Sequence, residues 1–175
     1  MRVRRAIPLA AVIAASVLAA AGWYLGSPLF IRTTVNEPVP TLATSRATLA
    51  PGATPLTVIS AETLTRVIAH GELQYVDAQH NGKGTVVLIR IGVQHFLRFE
   101  DVAITNAPDV HVYLSRERGG AWSETTSLYL GPLKATNGSF NYEIPAGTDV
   151  AIYRSVVVWC RAFSVLVTWA DLQAA

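Results

Sequence analysis

The feature that most constrains this chain is the stretch Tyr153–Trp169, in which apolar side chains occupy both alternating positions. Val157 and Trp159 lie on one parity, and Val156 and Val158 lie on the other. A strand with apolar side chains on both faces is buried on both faces. Because β-branched and aromatic residues pack well on a pleat and lose rotamer freedom in a helix, the stretch is predicted to be strand.

The same stretch contains the single cysteine of the chain, Cys160, followed directly by Arg161. A charged residue in so apolar a run predicts a bend or bulge that splits the run into two strands. One cysteine excludes an internal disulfide, a C-x-x-C couple and a cysteine-based zinc cage. Any thiol redox chemistry would therefore depend on one sulfur atom.

The charge distribution argues against nucleic-acid binding. Three of the 14 Lys and Arg residues lie within the first five positions, which leaves 11 against 12 Asp and Glu in the rest of the 175 residues. A nearly neutral remainder has no basic surface for phosphates. The length leaves room for one domain of roughly 100 residues beside a short N-terminal region.

The N-terminal region is predicted to be a membrane anchor. Ala6–Ile31 contains no charged residue and is preceded by three arginines. A helix of that length crosses about 30 Å of hydrocarbon. The positive charges then place residues 1–5 in the cytoplasm and the domain outside. A cleaved signal peptide ending at Ala19-Ala20-Ala21 is the alternative. Either reading predicts an extracytoplasmic domain, and the anchor reading predicts a single-pass cell-membrane protein.

Residues 32–63 are rich in proline and threonine and are predicted to be a linker, which leaves residues 64–175 as the domain. The apolar pattern of Ser60–Ala69 is ambiguous, because it fits either a short helix or the start of a strand. We prefer a short helix that gives way to a strand at Gly71–Val76.

Beyond this point, short apolar runs alternate with turn residues. Strands are predicted at Thr85–Arg90, His95–Phe99, Asp109–Ser115 and Phe140–Ile144, turns at 81–84, 92, 137–138 and 145–147, and a polar loop at 116–127. This pattern, without a long amphipathic helix, indicates an all-β antiparallel sandwich or barrel-like domain, preceded by the one transmembrane helix.

Six blocks of sequence in this domain resemble the DM-thirteen domain, also called the electron-transfer DM-thirteen domain and associated with DOMON modules. They are GEL…DAQHNGKGT (71–85), LRFEDV (97–102), APDVHVYLS (107–115), LGPLKATNG (130–138), NYEIPAGTD (141–149) and YRSVVVWCRAFSV (153–165). The departures are Ala107, where glycine is usual, and Val102, where phenylalanine is usual. The resemblance implies a β-sandwich-like domain with a redox or electron-transfer role centred on Cys160.

The residues around Cys160 leave two interpretations open. A thiol reacts when a cation, a helix N-terminus or a metal favours its thiolate, and apolar burial makes it inert. On a regular strand Arg161 faces away from the sulfur, although a bend would bring the guanidinium closer. Cys160 is therefore either a buried packing residue or a redox thiol.

Polar and aromatic candidates outside the central stretch are fewer. His80 and His111 are weak candidates for a metal, and Asp109 shares a strand parity with His111. Asp109 follows Pro108, where an aspartate commonly satisfies backbone N–H groups in a turn. Trp122 and Tyr129, in or beside the polar loop, are either contacts for a partner or glycan or part of the loop packing.

These observations favour a membrane-anchored, extracytoplasmic domain that exchanges electrons with a redox protein through Cys160. The alternatives are a non-enzymatic binding or envelope-structural module with a packed cysteine and, more weakly, a haem- or metal-binding domain. No complete catalytic constellation is present, so an enzyme is not expected, and the sequence requires no cofactor.

Overall fold

The domain consists of two β-sheets packed face to face, and the sheets do not close into a barrel. The computed structural model describes residues 9–27, 31–41 and 65–175. Its elements are α1 (Leu9–Gly26), β1 (Thr34–Asn36), β2 (Thr65–Glu72), β3 (Gly82–Ile91), β4 (Gln94–Ile104), β5 (Val110–Ser115), β6 (Ser127–Pro132), β7 (Asn137–Ile144), β8 (Ser155–Cys160), β9 (Val165–Asp171) and β10 (Gln173–Ala174).

One sheet has six strands in the order β1-β7-β4-β3-β2-β10, and the other has four in the order β6-β5-β8-β9. All neighbouring strands run antiparallel except β1 and β7, which are parallel. The main core lies between the sheets and is built from alternate residues of both inner faces. At its centre the rings of Phe99 and Phe140 stack with their centroids 5.0 Å apart. The predicted antiparallel sandwich is confirmed.

The central stretch behaves as its residue pattern predicts. It divides into β8 and β9, with a turn from Arg161 to Ser164 between them. Val156 and Val158 face the core between the sheets, and Val157 is equally buried on the outer face of the four-stranded sheet. The loop of residues 116–126 covers that outer face, since the buried hydroxyls of Ser115 and Ser155 donate hydrogen bonds to loop carbonyl oxygens.

Two predictions about β2 and β3 are wrong. Within Ser60–Ala69 the structure places Thr65 onwards in strand β2 and not in a helix, and residues 60–64 lie outside the described residues. Pairing with β3 on one side and β10 on the other decides the ambiguous apolar pattern in favour of strand. The turn expected at 81–84 comes earlier, because β3 already begins at Gly82 and Gly84 forms a bulge with φ +105°.

The tight turn predicted at Asn137-Gly138 is also wrong, because both residues belong to strand β7. Gly138 has φ +99°, a backbone conformation that favours glycine. The resulting Asn-Gly pair is also common in tight turns, and the local sequence therefore resembles one. The positive φ accompanies a close approach by β1, since a Cβ atom at Gly138 would overlap the carbonyl oxygen of Val35. The glycine is therefore needed for the contact between two strands.

Strand β1 lies within the range that the sequence assigns to a linker. Glu37, just after β1, accepts hydrogen bonds from the backbone N–H of Asn141 at 2.8 Å and from Lys134 Nζ at 2.9 Å. Arg98 donates to the carbonyl oxygens of Glu37 and Pro38. Burial acts to raise the pKa of Glu37, but the bonds from Lys134 and Asn141 outweigh it and lower this pKa. Residues 33–38 thus dock on the domain, and residues 42–63 of the predicted linker lie outside the described residues.

The predicted transmembrane anchor is not confirmed. Part of the uncharged N-terminal stretch forms α1, Leu9–Gly26. In the part of the chain that the structure describes, no helix combines the length and the apolarity that a membrane crossing requires.

Replacement of Gly138 tests the docking of β1. Gly138→Ala should strain a positive φ and also push Val35 away, whereas Gly147→Ala strains a similar φ of +79° with no atom near the new methyl. We expect Gly147→Ala to lower the free energy of unfolding by about 1–2 kcal/mol. We expect Gly138→Ala to cost about 1–3 kcal/mol more because of the overlap. Equilibrium urea unfolding measures both, and equal losses would contradict the close approach.

Candidate functional site

Cys160 lies at the end of β8 with no exposed surface, and its side chain belongs to the core between the sheets. Its thiol donates a hydrogen bond to the carbonyl oxygen of Pro108, with 2.9 Å between sulfur and oxygen. A carbonyl oxygen can accept this bond only while the sulfur carries its proton. The surroundings of the sulfur are those of a packed hydrophobic residue, and no reagent reaches it from solvent.

Arg161 extends over the opposite face of the four-stranded sheet from the sulfur. Its Nε donates a 2.7 Å hydrogen bond to the hydroxyl of Tyr113, and its guanidinium carbon lies 4.6 Å from the centroid of the Tyr129 ring. The hydrogen bond that Arg161 donates to Tyr113 raises the pKa of Arg161 above its ordinary value. Burial raises the pKa of Tyr113, although Arg161 opposes this increase. The bend after Cys160 therefore brings the cation to two tyrosines and not to the thiol.

His80 is held in the connection between β2 and β3. Its Nδ1 lies 2.8 Å from Oδ2 of Asp77, and Asp77 Oδ1 accepts from the backbone N–H groups of Gln79 and His80. The hydrogen bond with His80 lowers the pKa of the Asp77 carboxyl. The ring of this histidine is hydrogen-bonded to Asp77 within its own turn.

Asp109 and His111 are brought together, as their shared strand parity suggests. Asp109 has φ +60°, and its Oδ1 lies 2.7 Å from Nε2 of His111. The other ring nitrogen of His111, Nδ1, lies 2.9 Å from the hydroxyl oxygen of Tyr129. His111 is only 7% exposed, whereas Tyr129 is 43% exposed. We call these three residues the Tyr129 triad.

Four aromatic side chains on the outer face, one of which is Tyr129 of the triad, contact one another in series. We call them the aromatic row: Trp159, Trp122, Tyr113 and Tyr129. Neighbouring ring centroids are 4.9 Å apart for Trp159 and Trp122, 5.3 Å for Trp122 and Tyr113, and 5.4 Å for Tyr113 and Tyr129. These separations are those of rings in direct contact. The four rings thus form a continuous series of contacts over the four-stranded sheet.

Strand register explains most of this path. Tyr113 on β5 pairs with Tyr129 on β6, and His111 pairs with Trp159 on β8. Trp122 comes from the loop of residues 116–126 and stacks on Trp159 with an interplanar angle of 17°. Its indole Nε1 is buried and has no hydrogen-bond partner in the described residues.

The sequence pattern points to Trp122 and Tyr129 but not to the aromatic row. The outer parity of β5 carries His111, Tyr113 and Ser115. Aromatic and small side chains at these positions were a visible sign that this face is not simply exposed to solvent. Which rings meet across strands depends on pairing that no local pattern states. The row and the contact of Arg161 with it were therefore missed.

A shallow cleft of about 250 Å³ adjoins the Tyr129 triad and is lined by residues that include Asp109, His111 and Pro132. Within residues 9–27, 31–41 and 65–175, no group of three or more His, Cys, Asp or Glu side chains is arranged to hold a metal ion. His80 and His111, the two weak metal candidates, each pair with one aspartate instead.

Comparison with known proteins identifies the family. No curated protein and no solved structure matches the chain significantly. The family model described as Electron transfer DM13 matches residues 74–172, which is more than half of the chain and includes β3 to β9. The matched range contains Cys160, the Tyr129 triad and the whole aromatic row. This chain therefore belongs to the Electron transfer DM13 family, and that membership supports a redox role.

Proposed function

We propose that this domain transfers single electrons to or from a redox partner protein, and that the aromatic row is their path. The observation that carries the proposal is the unbroken contact of Trp159, Trp122, Tyr113 and Tyr129 in a domain of an electron-transfer family. Tryptophan and tyrosine are the side chains that give up one electron most readily, apart from ionised thiols. Tyr129 also presents this path to solvent, where a partner protein can approach.

Cys160 has a packing role in this proposal. Exchange of the thiol with a disulfide, or its oxidation to sulfenic acid, requires contact between the sulfur and a reagent. The sulfur is buried in the core and its thiol donates a hydrogen bond to the carbonyl oxygen of Pro108, while Arg161 contacts the tyrosines on the other face. The competing proposal is a redox thiol at Cys160 that becomes accessible only when this region opens.

Thiol accessibility decides between these two roles. With the intact native chain, we expect a small alkylating reagent to leave Cys160 unmodified for as long as the protein stays folded, and to modify it fully in denaturant. Cys160→Ala should lower the free energy of unfolding by about 1–2 kcal/mol, as removal of a small buried group does. Labelling is measured by mass spectrometry of the intact protein. Rapid labelling of the native protein would support the thiol mechanism instead.

Electron transfer along the aromatic row can be measured with a photo-oxidant attached near one end. A ruthenium bipyridine complex is linked through Phe163→Cys, in the exposed turn after β8, in a Cys160→Ala background. Flash-quench oxidation should then remove an electron from the row, and Trp122→Phe should slow this step severalfold because phenylalanine resists oxidation. Transient absorption follows the decay of the oxidised ruthenium.

Two controls accompany this experiment. Trp169→Phe removes a tryptophan from the same sheet face that is not in ring contact with the row, and should leave the rate unchanged. A label placed through Val93→Cys lies on the hairpin between β3 and β4 of the other sheet and should not oxidise the row. Equal rates for Trp122→Phe and the unchanged row would contradict the proposed path.

We also propose that the uncharged stretch 6–31 tethers the domain to the cell membrane, with the domain on the extracytoplasmic side. The support is the charge pattern: arginines at positions 2, 4 and 5 precede 26 uncharged residues, Ala6–Ile31. Cell fractionation should recover the full chain with membranes after alkaline carbonate washing, and a chain lacking residues 1–31 should be released. Protease added to spheroplasts should digest the domain, and protection of the domain would contradict the orientation.

A further inference from the structure

We propose that the Tyr129 triad is a proton-coupled redox centre, in which oxidation of Tyr129 by one electron is accompanied by transfer of its phenolic proton to His111. This inference rests on the proposed electron-transfer function and names Tyr129 as the residue that holds the oxidising equivalent. It is carried by two hydrogen bonds in series, from the Tyr129 hydroxyl through the His111 ring to Asp109.

For a neutral His111, which the proposed step requires, the hydrogen-bond partners decide the tautomer. A carboxylate oxygen of Asp109 can only accept, so the proton between the two groups lies on Nε2 of His111. A neutral imidazole carries one N–H, which leaves Nδ1 as an acceptor. The Tyr129 hydroxyl must then donate to Nδ1, across 2.9 Å. The proton that a phenol loses on oxidation already points at a base.

The redox step balances with one electron and one proton. A one-electron acceptor, such as the oxidised metal centre of a partner protein, takes an electron from the ring of Tyr129. The phenolic O–H bond breaks, and a new N–H bond forms at Nδ1 of His111. The products are a neutral tyrosyl radical, an imidazolium and the reduced acceptor. Return of an electron from a donor reverses both transfers.

Charged groups on either side of the Tyr129 triad favour this coupled step. The guanidinium of Arg161 lies over the Tyr129 ring and would repel a positive charge formed there, so loss of an electron without loss of the proton is disfavoured. The new positive charge on the buried His111 instead faces the partly exposed Asp109 carboxylate at 2.7 Å, which stabilises it. The electron can leave through the Tyr113 contact while the proton stays on His111.

The same features distinguish Tyr129 from the other tyrosines near it. The hydroxyl of Tyr113 accepts a hydrogen bond from Arg161. The hydroxyl of Tyr142 is buried and bonded between the carbonyl of Pro132 and the N–H of Lys134. Neither has a base ready for its proton. Tyr129 combines a base, an exposed ring and contact with the row.

The test uses the full chain carrying the ruthenium label at position 163 in the Cys160→Ala background. Flash oxidation should produce a tyrosyl radical, identified by electron paramagnetic resonance and transient absorption, and its formation should be slower in D₂O. Tyr129→Phe should abolish the tyrosyl signal and leave a tryptophanyl radical. Tyr75→Phe removes an exposed tyrosine outside the row and should change nothing.

His111→Gln retains a hydrogen-bond acceptor but not a base. It should slow formation of the tyrosyl radical by about 100-fold, the contribution expected of a positioned base, and should remove the isotope effect. Asp109→Asn tests the same centre independently, since asparagine tolerates the positive φ, and should slow the radical by about tenfold through loss of a charge-assisted hydrogen bond. His70→Gln, an exposed histidine on β2, is the control.

The outcomes separate this inference from the proposed function. Fast reduction of the oxidised ruthenium with a tryptophanyl radical alone, unaffected by His111→Gln and Asp109→Asn, overturns the Tyr129 centre and leaves electron transfer along the row intact. Reduction no faster than in a chain with all four rings of the row replaced by phenylalanine overturns the proposed function itself.

Discussion

The pairing of β5 with β8 is the interaction on which the rest of the domain depends. The two strands lie in the middle of the four-stranded sheet, with Val110 opposite Cys160 and Tyr113 opposite Val157. Since the side-chain period of a strand is two, a slip of one residue would move the aromatic side chains into the core and the valines out of it. The register is held because both faces are packed: the inner one against the six-stranded sheet and the outer one under the loop of residues 116–126.

This pairing separates two kinds of chemistry on one strand. The sulfur of Cys160 faces the dry core, where its hydrogen bond to Pro108 satisfies it. The neighbouring indole of Trp159 faces the aromatic row, where rings, a guanidinium and a histidine meet. The single cysteine lies in the most apolar stretch of the domain, and the family resemblance suggests a redox role for its sulfur. On these surroundings rests our proposal that redox activity lies on the face with rings, a base and access to solvent.

The pattern of apolar and polar residues predicted those strands whose own sequence shows a clear periodicity. The apolar alternation of β5, the two-faced burial of β8 and the split at Arg161 all follow from side-chain periodicity and hold in the structure. Prediction of the secondary structure failed where pairing with neighbouring strands determines it. Thr65–Glu72 is strand because β3 and β10 pair with it, and Asn137-Gly138 is strand because β1 and β4 pair with it on either side. The proline-rich composition after residue 32 hid a short strand whose stability comes from Glu37, Lys134 and Arg98.

The sequence by itself determined the all-β architecture, the near-neutral charge of the domain and the presence of one cysteine in its most apolar stretch, because composition and periodicity act along the chain. It also placed Asp109 and His111 on one parity, two residues apart, although the structure has Asp109 in the turn just before β5. Only the tertiary structure decided that Tyr129 completes this pair, that Trp122 joins Trp159 and Tyr113, and that Arg161 turns away from the sulfur. These contacts join residues from different strands and a loop, so strand register and loop packing create them, and no run of neighbouring residues encodes them.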